Sequence, residues 1–165
     1  MQIEGSCHCG RVRYRAHTRT PYPYMRCYCS ICRKTAGGGG YAINIMAEAD
    51  SLQVEGMEHV SVYHALIEDE SNPGERRQSP GRRHFCKHCG SALWVYDPRW
   101  EQWIYPFASS VDTPLPVPPE HTYMMLDFRA PWCELHPQAN DEQFPRYPKE
   151  AIIDWHERLG LVDDD

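Results

Sequence analysis

The stretch HFCKHCGSALWVY, residues 84–96, joins a cysteine pair and a glycine to an apolar run that is typical of a β-strand. The same order occurs near the start of the chain, where SCHCG (6–10) precedes RVRYRA (11–16). In RVRYRA apolar and charged residues alternate, as they do in a strand with one buried face. We call each segment of cysteine pair and glycine a knuckle. The repeat of knuckle and strand predicts two similar half-sites.

The two knuckles together supply four thiols, on Cys7, Cys9, Cys86 and Cys89. Four thiolates that converge on one ion form the usual closed, tetrahedral geometry of structural zinc. Gly10 and Gly90 would let the backbone turn tightly around that metal. The alternative is a set of redox-active or free thiols. Disulfides within a pair such as Cys7 and Cys9 are disfavoured, because one intervening residue would strain the bridge.

Three more thiols occur within CYCSIC, residues 27–32, on Cys27, Cys29 and Cys32, which we call the triad. Three thiolates with a free fourth position are a ligand pattern of catalytic zinc. A small thiol could occupy that position as a thiolate, because zinc accepts sulfur and raises the acidity of a bound thiol. The alternative is a second closed site whose fourth ligand is Cys133 or one of several histidines, among them His8, His84 and His121.

Composition bounds the class of protein. The chain has 165 residues, enough for one domain with a real core, and 14 prolines and 11 glycines indicate many turns. A formal charge of −6 disfavours nucleic acid as a partner. The N-terminus does not resemble a secretion signal, and no apolar run approaches the roughly 18 residues of a membrane span. Since the cytosol keeps thiols reduced, eight cysteines then predict metal or redox chemistry in a cytoplasmic protein.

The apolar patterns predict a mainly β fold of short antiparallel strands. Residues 67–83 read as a loop or a loose hairpin end, and residues 112–121 as a proline-rich connector. From Pro148 to Gly160 the apolar residues fall near one helical face, which predicts one short helix. We expect strands at RVRYRA (11–16), YAINIM (41–46), LQVEG (52–56), VSVYHAL (60–66), ALWVY (92–96), WIYPFA (103–108) and YMMLDF (123–128).

The cysteine motifs resemble those of the glutathione-dependent formaldehyde-activating enzyme family, which also includes centromere protein V. The resemblance rests on SCHCG (6–10), on C-x-C-x-x-C-R-K with a following glycine (27–37) and on RHFCKHCGSAL (83–93). HTYMMLDFRAPW (121–132) and QFPRYP (143–148) are similar to the family's C-terminal pattern. All seven motif cysteines match in order and spacing, and the resemblance runs from about residue 3 to residue 148.

The resemblance implies a β-tent-like fold of antiparallel sheets over residues 1–148, and the apolar pattern adds a short C-terminal helix and an acidic tail over residues 149–165. It implies a structural zinc on the knuckle cysteines and a labile catalytic zinc on the triad. It also implies a carbon–sulfur lyase that makes or breaks S-hydroxymethylglutathione from glutathione, or a related thiol, and formaldehyde or another aldehyde. Two features depart from the family pattern: Tyr28 stands where histidine is common, and the C-terminal helix extends beyond the usual end.

Other functions stay open at this point. A non-catalytic, zinc-stabilised binding module is one alternative, and a sensor in which the triad loses zinc and oxidises is another. Arg33 and Lys34 are candidate partners for the carboxylates of glutathione, against a solvated basic face. GGGG (37–40) reads as a hairpin turn. The sequence leaves a homodimer open, and we expect the tryptophans to lie in the core rather than in a substrate wall: Trp94, Trp100, Trp103 and Trp132.

Overall fold

The structure is a computed structural model that describes residues 1–69 and 71–164. Within these residues the chain forms fourteen strands and two helices, α1 (Ser30–Ala36) and α2 (Ile152–Leu159). The prediction of a mainly β fold with a short C-terminal helix is confirmed. The strands are β1 (Gln2–Ser6), β2 (Arg13–His17), β3 (Met25–Cys27), β4 (Ala42–Ile43), β5 (Ala47–Glu48), β6 (Gln53–Glu55), β7 (Val60–Tyr63), β8 (Leu66–Glu68), β9 (Arg76–Gln78), β10 (Arg82–Cys86), β11 (Ala92–Tyr96), β12 (Trp103–Pro106), β13 (Thr122–Met124) and β14 (Glu142–Gln143).

Three of the sheets are antiparallel and a fourth is mixed. The antiparallel sheets have the strand orders β1-β2-β6 and β5-β12-β11-β10-β7, together with the hairpin β8-β9. The fourth sheet has the order β14-β13-β3-β4, and in it β13 runs parallel to both β3 and β14. This parallel pairing departs from the predicted antiparallel pattern. It places the end of β13 beside CYCSIC, where the Tyr28 backbone N–H donates to the Met124 carbonyl at 3.0 Å.

The main core lies where the three-stranded and five-stranded sheets contribute apolar side chains. Tyr14 and Ala16 of β2 are buried while Arg13 and Arg15 are exposed, so the alternation predicted for this strand is confirmed. Tyr14 meets Trp94 of β11 edge to face, with ring centroids 5.6 Å apart. The Tyr14 hydroxyl also lies 2.7 Å from the Ser110 hydroxyl, which satisfies its buried polar end.

Some predicted strands divide where the chain passes from one sheet to another. YAINIM (41–46) was predicted as one strand, but only Ala42–Ile43 form a strand there, β4, which pairs with β3. The next strand, β5, begins after this run at Ala47 and pairs with β12 in another sheet. Between β4 and β5 the Asn44 side-chain amide donates to the Tyr105 carbonyl, and the backbone N–H of the buried Ile45 donates to the Pro106 carbonyl. These two hydrogen bonds hold the segment in which the chain passes from one sheet to the other. VSVYHAL (60–66) likewise divides into β7 and the start of β8. YMMLDF (123–128) ends as a strand at Met124, because Met125 adopts a left-handed φ of 61°.

Helix α2 packs against the segment that leads into β3. The Trp155 ring stacks on Tyr24 with centroids 3.8 Å apart and planes 8° apart. His156 is fully buried: its Nδ1 donates to the Ile152 carbonyl at 2.8 Å, and its Nε2 accepts from the Tyr22 backbone N–H at 3.3 Å. The predicted helix is confirmed, although it begins only at Ile152. The domain boundary at residue 148 stays a prediction.

Acidification should loosen this packing through His156. Burial lowers the pKa of His156, so the unfolded chain binds the proton more readily than the folded chain. Stability is therefore present above the unfolded pKa of about 6.5 and is lost as the pH falls below it. We expect the thermal midpoint to drop less between about pH 7.5 and about pH 5.5 in His156→Gln than in wild type. His136→Gln, which changes an exposed histidine, is the control, and equal drops in wild type and His156→Gln would contradict the prediction.

Among the residues described, none of the helices is long and apolar enough to cross a membrane. The described part of residues 67–83 contains the end of β8, all of β9 and the start of β10, and β8 pairs with β9, which agrees with the predicted loose hairpin end. The connector 112–121 contains no strand, as predicted.

Candidate metal centres

Both knuckles are tight turns that end in a left-handed glycine, although the turn of the second knuckle is one residue longer. In the first, Gly10 N–H donates to the Cys7 carbonyl at 2.9 Å, and in the second, Gly90 N–H donates to the Cys86 carbonyl at 2.8 Å. Both glycines adopt left-handed φ values, 73° and 74°, that a side chain would disfavour. The cysteine pairs are thus set on matching tight turns, as the repeated motif predicts.

The knuckles meet so that their four sulfur atoms all lie within 4.8 Å of one another. Cys7 Sγ and Cys9 Sγ are 3.5 Å apart, and Cys9 Sγ and Cys86 Sγ are 3.7 Å apart. Sulfurs about 2.3 Å from a tetrahedral zinc would lie about 3.8 Å from each other. The four-cysteine cluster could therefore hold a metal ion with little rearrangement.

Ser91 links the two knuckles. Its hydroxyl accepts from the His8 backbone N–H at 3.0 Å and lies 3.2 Å from Cys89 Sγ. Donation from this hydroxyl to the sulfur lowers the pKa of Cys89 to about 5. At Cys86 burial acts in the opposite direction and raises the pKa to about 11. A metal ion would be needed to hold both sulfurs as thiolates in one pH range.

The triad is built by the end of β3 and the start of α1. Cys27 ends β3, Cys29 is the N-cap of α1, and Cys32 lies in the first turn of that helix. Cys29 Sγ accepts a hydrogen bond from the Cys32 backbone N–H at 3.3 Å, which turns its sulfur toward that of Cys32. The three sulfurs all lie within 4.8 Å of one another, so the triad could also hold a metal ion.

The side chains of the triad form hydrogen bonds with one another, which change their pKa values. Hydrogen bonds from Cys27 and Cys32 hold the pKa of Cys29 far below its usual range. Conversely, Cys27 keeps its proton because it donates to Cys29, and its pKa lies far above the usual range. A divalent ion bound at the triad would take the place of the protons on these sulfurs.

An apolar wall and one guanidinium group surround the triad. The triad packs with the buried Ala42 and Phe107 and with the partly buried Val95. Arg83 of β10 reaches the triad from the five-stranded sheet, and its Nη2 donates to Cys32 Sγ at 3.8 Å. The Arg83 Nη1 is sealed from solvent without a hydrogen-bond partner. The sequence motifs gave no indication of this contact.

No candidate for a fourth protein ligand reaches the triad among the residues described. Cys133 lies in a separate buried cluster, where its Sγ donates to the Gly39 carbonyl at 3.4 Å. His84 stacks on Trp94, and His121 lies 3.6 Å from Asp141. His8 is exposed beside the first knuckle. The two clusters therefore differ, since one has four sulfur ligands and the other has three.

Tyr28, which interrupts the triad motif, belongs to a different part of the core. Its side chain is 1% exposed and packs with Tyr123, Ala130 and Cys133, whereas the triad packs with the Phe107 cluster. The Tyr28 ring stacks on Tyr123 at 5.9 Å with planes 10° apart. Burial also raises the pKa of Tyr28, so its phenol stays neutral.

We therefore expect Tyr28→Phe to leave the triad chemistry unchanged. The substitution keeps the stacked ring and removes only the hydroxyl, so metal content and turnover should stay within about threefold of wild type. Zinc analysis and steady-state kinetics measure both quantities. A loss of turnover beyond tenfold with intact metal content would show that the hydroxyl takes part in the reaction.

Other predicted residues fall in several environments. Arg33 and Lys34 lie in the last turn of α1, Arg33 half-buried and Lys34 exposed. Trp94 is buried as predicted, but the core prediction is wrong for Trp100 and Trp132, which are 49% and 61% exposed. The turn prediction for GGGG agrees with the structure, in which the backbone N–H of residue 40 donates to the carbonyl of residue 37. Helix α1 itself was not predicted.

Comparisons with known proteins relate the chain to one family. Residues 2–125 match the model of the family described as glutathione-dependent formaldehyde-activating enzyme. A Halomonas elongata protein with the name "Putative glutathione-dependent formaldehyde-activating enzyme" is 54% identical over 161 residues, 98% of each chain. The crystal structure of a Rhodobacter sphaeroides protein is similar with a TM-score of 0.50 at 23% identity, over 68% of this chain and 91% of that chain. The last likeness concerns the fold alone.

Proposed function

The chain belongs to the glutathione-dependent formaldehyde-activating enzyme family, and from this premise we propose that it is a zinc-dependent carbon–sulfur lyase. Its reaction would join glutathione, or a related small thiol, to formaldehyde or another aldehyde and would cleave the same adduct. The observation that carries the proposal is the contrast between the clusters. Four sulfurs close one of them, whereas three sulfurs leave the other a coordination position short.

The residues present fit zinc in both proposed roles. Thiolate sulfur is a soft ligand that zinc binds readily, and the spacing of the knuckle sulfurs is close to that of a tetrahedral site. We assign Cys7, Cys9, Cys86 and Cys89 to a structural zinc and Cys27, Cys29 and Cys32 to a catalytic, more labile zinc. When bound at the triad, zinc would supply a position for the substrate sulfur and raise the acidity of its thiol.

The reaction requires that the thiolate and the aldehyde be held next to each other, at a surface that is partly shielded from water. The thiolate sulfur attacks the carbonyl carbon, a carbon–sulfur bond forms, and the π electron pair moves to oxygen, which takes a proton from solvent. In the reverse direction the hydroxyl loses its proton, the carbonyl re-forms and the thiolate leaves. Phe107 and Val95 shield one side of the triad from water, which strengthens the electrostatic interactions there.

Two cations on α1 support an anionic thiol as substrate. Glutathione carries two carboxylates, and the basic residues Arg33 and Lys34 follow directly after Cys32. The Arg33 Nε is sealed from solvent and has no hydrogen-bond partner among the protein groups. We propose that this turn of α1 binds a carboxylate of the thiol substrate.

We also infer the cellular setting. Each of the eight cysteines is free, which suits a reducing compartment, and we propose that the protein is cytoplasmic. The formal charge of −6 supports small molecules rather than nucleic acid as partners. A homodimer stays a prediction, which sedimentation of the purified chain would test.

The direct test of function combines binding and turnover. Zinc-loaded protein is titrated with glutathione by calorimetry, and adduct formation from several aldehydes is then followed above the uncatalysed rate. We expect saturable binding at millimolar concentration or below, and turnover with at least one aldehyde. Turnover indistinguishable from the spontaneous reaction would overturn the lyase, and absence of glutathione binding would overturn glutathione as the thiol.

A further inference from the structure

Arg83 approaches the triad from β10, the strand that ends in Cys86 of the four-cysteine cluster. It lies on β10, three residues before Cys86, yet its side chain extends to Cys32 on α1. The register of β10 places Arg83 opposite Tyr63 of β7 and Val95 of β11, so the strand is held on both sides. A half-buried cation on a strand that is paired on both sides thus lies at the proposed reaction centre.

One nitrogen of this guanidinium lacks the partner that its burial requires. Nη2 donates to Cys32 Sγ at 3.8 Å, but Nη1 is sealed from solvent and no protein group accepts from it. A buried donor left unpaired costs free energy, and more so on a charged group. Such groups in a native fold call for an explanation, and a substrate atom that accepts the hydrogen bond supplies one.

Distance decides which substrate atom fits. Arg83 is in contact with the Cys32 sulfur, so it lies beside the position that we propose for the substrate thiol. From there its guanidinium can reach atoms close to the substrate sulfur. The carboxylates of glutathione are many covalent bonds from its sulfur, whereas the oxygen of the aldehyde adduct is two bonds away. A carboxylate is better served by Lys34, which is exposed.

We propose that Arg83 is a catalytic residue whose Nη1 donates a hydrogen bond to the aldehyde oxygen. This inference rests on the proposed function. As the carbon–sulfur bond forms and the carbonyl π bond breaks, negative charge collects on that oxygen, and a fixed guanidinium in a water-poor site stabilises it. The oxygen then takes its proton from solvent, and Arg83 keeps its own. In cleavage Arg83 stabilises the same oxygen before the thiolate leaves.

A second role for Arg83 would be to hold the Cys32 sulfur in place. The two roles differ in what the residue changes. A donor to the aldehyde oxygen acts on the turnover rate, because the charge on that oxygen exists only during the reaction. A residue that holds Cys32 acts on the metal content and on the affinity for glutathione, both of which are measured without an aldehyde.

The test compares Arg83→Gln with Arg82→Gln in zinc-loaded protein. Arg82 is the neighbouring residue, exposed and lying over the Tyr96 ring at 5.7 Å, so its substitution removes the same charge without touching the triad. We expect Arg83→Gln to lower kcat by about 100-fold while metal content and glutathione affinity stay within about threefold of wild type. Arg82→Gln should behave as wild type.

Two results for a folded Arg83→Gln protein would contradict the inference. An unchanged kcat in Arg83→Gln, or a parallel loss of metal and glutathione affinity, would overturn the catalytic role while leaving the proposed function intact. If Arg83→Gln does not fold, Arg83→Lys keeps the charge with a different geometry and should still lower kcat by about tenfold at normal glutathione affinity. A wild-type protein without turnover would overturn the proposed function and this inference with it.

Discussion

Cys86→Ala is expected to prevent cooperative folding of the chain. Cys86 is fully buried at the end of β10, and its sulfur belongs to the four-cysteine cluster that joins the two knuckles. A structural zinc contributes on the order of 10 kcal/mol to the folding of small zinc domains. This value is comparable with the whole stability of a typical domain, about 5–15 kcal/mol. Loss of one ligand thus weakens a contribution that is comparable with the net stability of the chain.

Circular dichroism melting and zinc analysis of the soluble fraction measure this effect. Cys133→Ala is the matched control, because it removes another buried thiol that belongs to neither cluster. We expect the control to melt cooperatively with both metals and to lose only about 1–2 kcal/mol. A soluble Cys86→Ala protein with a sharp thermal transition near that of the control would show that the cluster does not support the fold.

Cys29→Ser is expected to remove the proposed activity and leave the fold intact. Serine is a good N-cap, so its hydroxyl can replace the sulfur that accepts from the Cys32 backbone N–H, and α1 should persist. As a zinc ligand, however, a serine oxygen is much weaker than a thiolate. We expect zinc per chain to fall from two ions to one and kcat/KM to fall by at least about 100-fold.

Metal analysis, melting and kinetics on the same sample separate these effects. Tyr28→Phe serves as the control within the motif, since it changes a residue between two ligands without altering a sulfur. A Cys29→Ser protein that keeps two zinc ions and normal turnover would contradict the assignment of the triad. A variant that loses its cooperative melting transition would contradict the separation of a structural from a catalytic site.

The parts of the structure that local spacing controls could be predicted from the sequence. One or two residues separate the cysteines within each knuckle, and a glycine follows, so the turn is determined by the residues that form it. The alternation in RVRYRA likewise reports one buried face, and the structure buries Tyr14 and Ala16. The amphipathic pattern around Trp155 identified α2 in the same way.

The parts that depend on distant contacts could not be predicted. Helix α1 has seven residues, too few for a periodic pattern, and begins where Cys29 caps it. YAINIM has the composition of one strand, but the strand ends at Ile43. The Ile45 backbone N–H then donates to the carbonyl of Pro106, which belongs to another sheet. Arg83 meets Cys32 across 51 residues of sequence, and its approach depends on which face of β10 turns toward α1.

The central claim is that the triad holds a metal with one position free for a substrate thiol. Replacement of the metal by Co²⁺ makes this position visible, because each cobalt–sulfur bond adds to the charge-transfer absorption. We predict that glutathione increases this absorption saturably in the wild-type protein, and that Cys29→Ser shows no such increase. A spectrum that stays constant while calorimetry shows glutathione bound would mean that the thiol does not bind the metal, and would contradict the claim.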